Sequence, residues 1–320
     1  MEQPFTASIR LALGLLAAVF ALQVYRAAAT PIGVTEAYLY DRFVRPTARQ
    51  VLASQSTDRD VLYSVLEKRS VGLFHVSPFS VRLPSLLFCI LYLVSIWQLA
   101  ARMVKFQWQF WAAVAGAAAV PLWVDWFARA EGHGAALSLL ACAALATAGR
   151  KLNLAGICIG LSIAAQTAFV VPAIAVALAP LALHRRVWEW IERVAIPATV
   201  VVTILLTLPL THADTPAPVE SEWSAAQAAH LQAALRALRA SAGGEQVSIA
   251  TVPAAQSIVN FYRAQHRANT WQRASPDDDS SRFDYYLLPA TPAGPVEQRH
   301  LIVVYRDADF VLARRGDAPM

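Results

Sequence analysis

Charge is scarce in this sequence. Of its 320 residues only 15% are Asp, Glu, Lys or Arg, against roughly 25% in soluble chains. Hydrophobic residues make up 57% and the mean hydropathy is +0.42, so most of the chain is expected in a bilayer rather than in an ordinary soluble globule. Cysteine is nearly missing as well: Cys89, Cys142 and Cys158 all fall inside apolar runs. With none in the polar third of the chain, no disulfide and no zinc site is expected. Lysine is absent after residue 211, where 10 Arg face 12 acids; the first 211 residues hold 17 Lys/Arg against 10 Asp/Glu. The basic pI therefore belongs to the hydrophobic part and argues against a nucleic-acid partner. No GxGxxG and no P-loop occurs, so nothing points to a nucleotide.

What is present in quantity is uncharged length. Among the stretches without Asp, Glu, Lys or Arg, six stand out: 11–25, 83–101, 106–124, 132–149, 152–184 and 194–213. A crossing needs about 20 apolar residues. The first stretch has a poor cleavage region at Gln23-Val24-Tyr25-Arg26 and reads as an uncleaved helix. The basic connections Arg102/Lys105, Arg150/Lys151 and Arg185/Arg186 prefer the cytoplasm, and all three lie there only if 152–184 crosses twice, turning near Gln166-Thr167. The expectation is an α-helical polytopic membrane protein with about seven transmembrane helices, the last over roughly 188–210, and the N-terminus inside. Trp108, Trp111, Trp123, Trp126, Trp188 and Trp190 fall at the expected helix ends, as an interfacial belt would.

Two regions lie outside these stretches. Between helices one and two, Tyr38, Leu39, Phe43 and Val44, then Val61, Leu62, Val65 and Leu66, recur at helical spacing, the pattern of amphipathic helices lying on a membrane surface. After the Pro216/Pro218 linker, a small extracytoplasmic α/β domain is expected over 212–320. Its elements read as a helix over 221–241 ending at Gly243-Gly244, a strand over Val247–Val252, a helix over 254–266, and strands at Phe283–Leu288, Leu301–Tyr305 and Phe310–Ala313. The last two form a hairpin turning at Asp307-Ala308.

Three segments resemble the GT-C membrane glycosyltransferases, in particular the bacterial protein O-mannosyltransferase-like and aminoarabinose transferase-like branch. Thr35-Glu36-Ala37-Tyr38 stands where that family has Asp-Glu-Ala-Tyr. Leu73-Phe74-His75-Val76-Ser77-Pro78-Phe79-Ser80-Val81-Arg82-Leu83-Pro84-Ser85-Leu86 follows its Leu-Phe-Gly-x-Ser-x-Phe-x-x-Arg-Leu-Pro-Ser-Leu run, and Phe127-Ala128-Arg129-Ala130-Glu131-Gly132-His133 echoes an arginine-containing loop. The family's leading aspartate is Thr35 here, and its Asn-Asn-His-Val segment reads Thr57-Asp58-Arg59-Asp60-Val61. The resemblance covers about 1–210, implying a GT-C-like transmembrane module over 1–211 with 27–82 as its first extracytoplasmic loop. It further implies inverting transfer of a sugar from a polyprenyl-phosphate donor to an acceptor hydroxyl at the extracytoplasmic face of the inner (cytoplasmic) membrane. The partners would be the polyprenyl-phosphate sugar and membrane lipid, with no cofactor.

Such a transfer needs a carboxylate to accept the acceptor proton and fixed cations for the departing phosphate. Glu36 is the first candidate base, with Asp58 and Asp60 as alternatives; each also reads as a plain capping or loop charge. Asp125, Arg129, Glu131 and His133 form a charge cluster after the third apolar stretch. There Arg129 could hold two phosphate oxygens, or pair with Asp125 or Glu131 as an interfacial ion pair. Arg82 could serve the same phosphate or simply snorkel. His133 has no second histidine or spaced carboxylate to complete a metal set, and His230, His266 and His300 are scattered. Because Thr35 replaces the aspartate, a second function stays open: a non-catalytic relative serving as scaffold or accessory subunit of a membrane assembly. A transporter is disfavoured by the lack of inverted repeats.

Overall fold

Helices dominate the computed structural model, which describes residues 3–46, 61–103, 107–119, 121–166, 169–183, 225–276, 282–290 and 299–316. By compactness the chain divides into two units: Met1–Ala29, Ala48–Phe74 and Phe79–Thr215 in the first, and Thr30–Thr47, His75–Pro78 and Pro216–Met320 in the second.

The first unit is built from α1 (Gln3–Ala29), α3 (Val61–Phe74), α4 (Pro78–Met103), α5 (Gln107–Ala119), α6 (Pro121–Ala128), α7 (Gly132–Ala148), α8 (Leu152–Ala165) and α9 (Val170–Leu183). Among the described residues two stretches are long and apolar enough to cross a membrane, Leu11–Ala29 and Pro78–Arg102, with mean hydropathies of 1.7 and 1.9. The expected seven crossings are therefore not what the structure shows. The reason is where the uncharged runs break. The run 106–124 carries a described helix of 13 residues and the start of one of 8 that opens at Pro121, a position proline favours. The run 132–149 yields 17 helical residues. Gln166 is extended at φ −157° and ψ 116°, which divides 152–184 into two helices of 14 residues each. The expected crossing over 188–210 lies outside the described residues, as do Lys105, Arg185, Arg186, Trp188 and Trp190.

Small residues and hydroxyls hold these helices together. One core joins Ala12 and Leu16 of α1 to Cys89, Tyr92 and Leu93 of α4 and to Phe110, Val114 and Phe127; a second joins α7 to α8 through Ala143, Ala146, Ala155, Ile159 and Ile163. Ser138 Oγ lies 2.7 Å from the carbonyl of Phe88, and Ser162 Oγ donates to that of Ala136 at 2.8 Å. Tyr63 Oη donates to the Val81 carbonyl at 3.0 Å, tying α3 to α4. Interhelical hydroxyl bonds between Ala- and Gly-rich faces are the packing mode of helices in lipid.

The second unit holds a five-stranded sheet of order β2-β1-β3-β5-β4: β1 (Ile249–Thr251), β2 (Ser275–Pro276), β3 (Tyr285–Pro289), β4 (Leu301–Arg306) and β5 (Phe310–Arg315). β1 runs parallel to β2 and β3, whereas β3, β5 and β4 are antiparallel neighbours, with Leu287 opposite Leu312. Every residue of β1 and the first four of β3 and β5 are buried, as expected of strands covered on both faces; β4 is the more exposed edge. Two helices supply the cover: α10 (Ala225–Ala242) buries Leu231, Ala234, Leu235 and Leu238, and α11 (Pro253–Gln265) buries Ile258, Val259 and Phe261. α10 ends at Gly243 and Gly244, both at positive φ (57° and 93°), the left-handed stop that glycine permits. Asp307 makes the hairpin turn by accepting the N–H groups of Asp309 (2.9 Å) and Phe310 (2.8 Å). β2 had no signal in the sequence.

This unit also contains α2 (Val34–Leu39) and a π-helical turn over Tyr40–Val44, closed by Arg45 N donating to the Tyr40 carbonyl at 2.9 Å. Tyr40 meets Phe261 edge-on at 5.2 Å. The loop read as one stretch over 27–82 thus divides: 30–47 and 75–78 fall in the second unit, α3 in the first.

Candidate functional site

Glu36 sits in the first turn of α2, buried to 3% exposure. Its carboxylate bends back, and Oε2 accepts the Gly33 N–H at 2.8 Å. That closes the helix start in the manner of a capping box: a free backbone donor is satisfied by the side chain three residues on.

Five residues later, the π-helical turn carries Asp41, 8% exposed. Arg45 Nη1 donates to Oδ1 at 2.9 Å, Arg273 Nη2 to Oδ2 at 2.6 Å, and Asn260 Nδ2 approaches Oδ2 at 3.4 Å. Asn260 is fixed in turn, its Oδ1 accepting the Ala274 N–H at 3.0 Å. Arg263 donates to the Trp271 carbonyl at 3.0 Å. Its proton is held less tightly than usual, first by burial and then by the positive charges of Arg45 and Arg273, with Asp41 opposing. Three guanidinium groups therefore share the neighbourhood of one carboxylate, an excess of positive charge. Elsewhere in this unit His230 Nδ1 lies 2.6 Å from Asp309. Burial, then the charge of Arg239, pulls the His266 pKa below the ordinary histidine value.

The remaining candidates belong to the first unit. Arg82 is 1% exposed and donates from Nη1 to the Ala27 carbonyl at 3.1 Å. Asp125 pairs with Arg26. Arg129 Nη1 stands 4.0 Å from Glu131 Oε1, with its side chain 41% exposed, and its carbonyl accepts Ser85 Oγ at 2.7 Å. Glu131 Oε2 also lies 3.4 Å from His133 Nδ1. His133 stacks on Trp126 at 5.2 Å between ring centres, and Gln166 Nε2 is 3.2 Å from its Nε2. Of the cluster read over 125–133, Arg129, Glu131 and His133 stand together, with Gln166 as an added neighbour, while Asp125 pairs with Arg26. The formal charges cancel.

No protein-family model, no curated protein and no solved structure matches this chain. The geometry must carry the reading by itself.

Asp58 and Asp60 lie outside the described residues. Among the described residues no group of three or more His, Cys, Asp or Glu is arranged to hold a metal. The residues that sequence reasoning passed over are Asp41, Asn260, Arg263 and Arg273, together with Glu67, which is 1% exposed on α3. Asp41 had one usable signal, an acid next to Tyr40 in a short turn that also carries Phe43 and Val44. Its partner Arg273, 232 residues away, had none. Chemically, the first-unit cluster can orient an imidazole and present one exposed guanidinium. The second-unit cluster fixes a segment in place.

Proposed function

We propose that this chain is a membrane protein that resembles GT-C glycosyltransferases in three motifs but does not catalyse the transfer, serving instead as a scaffold or accessory subunit of a membrane assembly. The observation that carries this reading is the carboxylate of Glu36, buried to 3% exposure and bonded to the Gly33 N–H that starts its own helix, beside Thr35 where the family's aspartate would stand. A general base must reach the proton it removes, and a carboxylate that caps its helix from a buried position is held by structure. Arg82, buried and bonded to a backbone carbonyl, supports the same reading. Membrane residence is supported by the two long apolar helices and by apolar side chains left on the protein surface, among them Leu11, Leu22, Leu87, Ile90 and Val94, which lipid would cover. The proposed setting is the inner membrane.

One observation favours the transferase: the Arg129 guanidinium, partly exposed and only loosely set against Glu131, has the shape to hold a polyprenyl phosphate. The two readings separate in one assay. Purified full-length protein is given radiolabelled polyprenyl-phosphate sugars and scored for sugar transfer; no transfer above background with any donor is expected. Turnover that Glu36→Gln abolishes and Arg129→Ala weakens would overturn the accessory reading and establish the enzyme.

A further inference from the structure

Between α3 and α4 runs a groove of about 430 Å³, within the roughly 300–1,000 Å³ of ligand sites. Its walls follow helical spacing: Leu66, Arg69 and Leu73 from α3, and Leu83, Leu87 and Leu91 from α4. The periodicity is that of two apolar stripes facing one trough. Among the described residues nothing fills the trough, for Leu73 is 75%, Leu87 60% and Leu91 37% exposed. It is also held in shape, because the Ser70 hydroxyl bonds the Ser80 carbonyl and Tyr63 the Val81 carbonyl.

Two features name the occupant. Leu83, Leu87 and Leu91 lie within Pro78–Arg102, one of the two stretches long and apolar enough to span a bilayer, so the groove opens towards acyl chains wherever that helix is embedded. Arg69 is the single charged residue in the lining, it is exposed, and it has no ion-pair partner among the described residues. A cation at membrane depth is costly unless it finds an anion, and a guanidinium suits two phosphate oxygens at once. We propose that this groove binds one anionic phospholipid, its acyl chain along Leu73, Leu83, Leu87 and Leu91 and its phosphate on Arg69. The site rests on the membrane reading above but not on the absence of catalysis. The lipid completes the surface between α3 and α4, the helix that carries the Arg-Leu-Pro run.

The test uses the full-length protein reconstituted in vesicles of phosphatidylcholine doped with a photoactivatable phosphatidylglycerol, a photoactivatable phosphatidylcholine, or a photoactivatable polyprenyl phosphate, with adducts mapped by mass spectrometry. Adducts from phosphatidylglycerol concentrated on peptides covering 66–91 are expected. Arg69→Gln should lower them about fivefold, the effect of one basic side chain at an anionic surface, with helicity unchanged by circular dichroism. Leu87→Gln provides an independent variant that should lower labelling by both phospholipids. Equal labelling by phosphatidylglycerol and phosphatidylcholine, labelling spread evenly over all helices, or an Arg69→Gln protein that labels like the wild type would each overturn the site. Preferential labelling by the polyprenyl phosphate would overturn the choice of lipid, and a partner protein that displaces all three would show a protein-docking groove instead. Failure of the chain to enter the vesicles overturns the membrane reading itself, an outcome distinguishable from all the others.

Discussion

The first unit gathers Arg26, Arg129, Asp125 and Glu131, two charges of each sign, three of them on side chains 36% to 45% exposed. The second sets Arg45, Arg263 and Arg273 around the carboxylate of Asp41, whose side chain is 8% exposed. Exposure decides how much each cluster stabilises. Ion pairs open to water contribute about 0–1 kcal/mol, because solvent screens them and ordering two long side chains costs entropy. Removing one partner of a buried pair costs about 3–5 kcal/mol, since the remaining charge is left without compensation. The lesson is that Asp125, Arg129 and Glu131, close together and conspicuous in the sequence, hold the least, and Asp41 holds the most.

The largest expected effect follows from that contrast. Asp41→Asn keeps the shape and removes the charge that the Arg45 and Arg273 guanidinium groups bond, and it should destabilise the protein by about 2–3 kcal/mol, below the buried-pair figure because Arg45 and Arg273 are partly exposed. Hydrogen exchange in the full-length chain checks it: protection should fall together in 34–46 and 258–274, and unchanged protection in either segment would remove Asp41 as the link.

Acidity should produce a smaller change, acting through His266 in the second unit. The folded pKa of His266 lies below its usual 6.5, through burial and then Arg239, so the unfolded chain takes up the proton more readily. The stability contributed by neutral His266 is present above 6.5 and is lost as pH falls through that value towards the folded pKa. Asp307 acts in the same direction at lower pH: burial raises its pKa, but the Phe310 and Asp309 N–H groups and the Tyr305 hydroxyl outweigh it and hold the carboxylate below the usual range. Melting temperature should decline from pH 7.5 to 5.5, and His266→Phe should flatten that slope; a slope unaltered by the substitution would clear His266.

The smallest effect belongs to the first unit. Asp125→Asn removes the partner of Arg26 at a pair 36% and 45% exposed, and should cost no more than about 0.5 kcal/mol. A chemical-denaturation midpoint shifted as far as that of Asp41→Asn would erase the contrast between the clusters.

Much of the second unit was legible because its signals are local. Gly243-Gly244 stops a helix by its own conformational freedom, Asp307 makes a turn with the next residues, and β-branched and aromatic runs give the strands. The approach of Arg129 and His133 to Glu131 was legible for the same reason, whereas the pairing of Asp125 with Arg26 was not. Counting crossings failed because absence of charge reports solubility in lipid and not helix continuity: a helix opens at Pro121 and Gln166 is extended within runs that composition leaves whole. The capping bond of Glu36 was open to sequence reasoning, but whether it bends back is set by Gly33, whose N–H is the donor. The π-helical turn and the Asp41–Arg273 pair depend on contacts far apart along the chain, and neither leaves a periodic trace.

The discontinuity of the second unit has a consequence in time. Asp41 leaves the ribosome 232 residues ahead of Arg273, which at about 5–20 residues per second is a wait of roughly 10–50 s. Throughout that interval Tyr40, Phe43 and Val44, all buried in the finished protein, have no sheet domain to cover them. Something else must shelter them as the chain is made, whether the lipid interface beside α1 or a chaperone, and a chain that stops short of β5 has no complete domain to release them into. Damage near the C-terminus would therefore be felt first at residues 30–47, close to the other end of the chain.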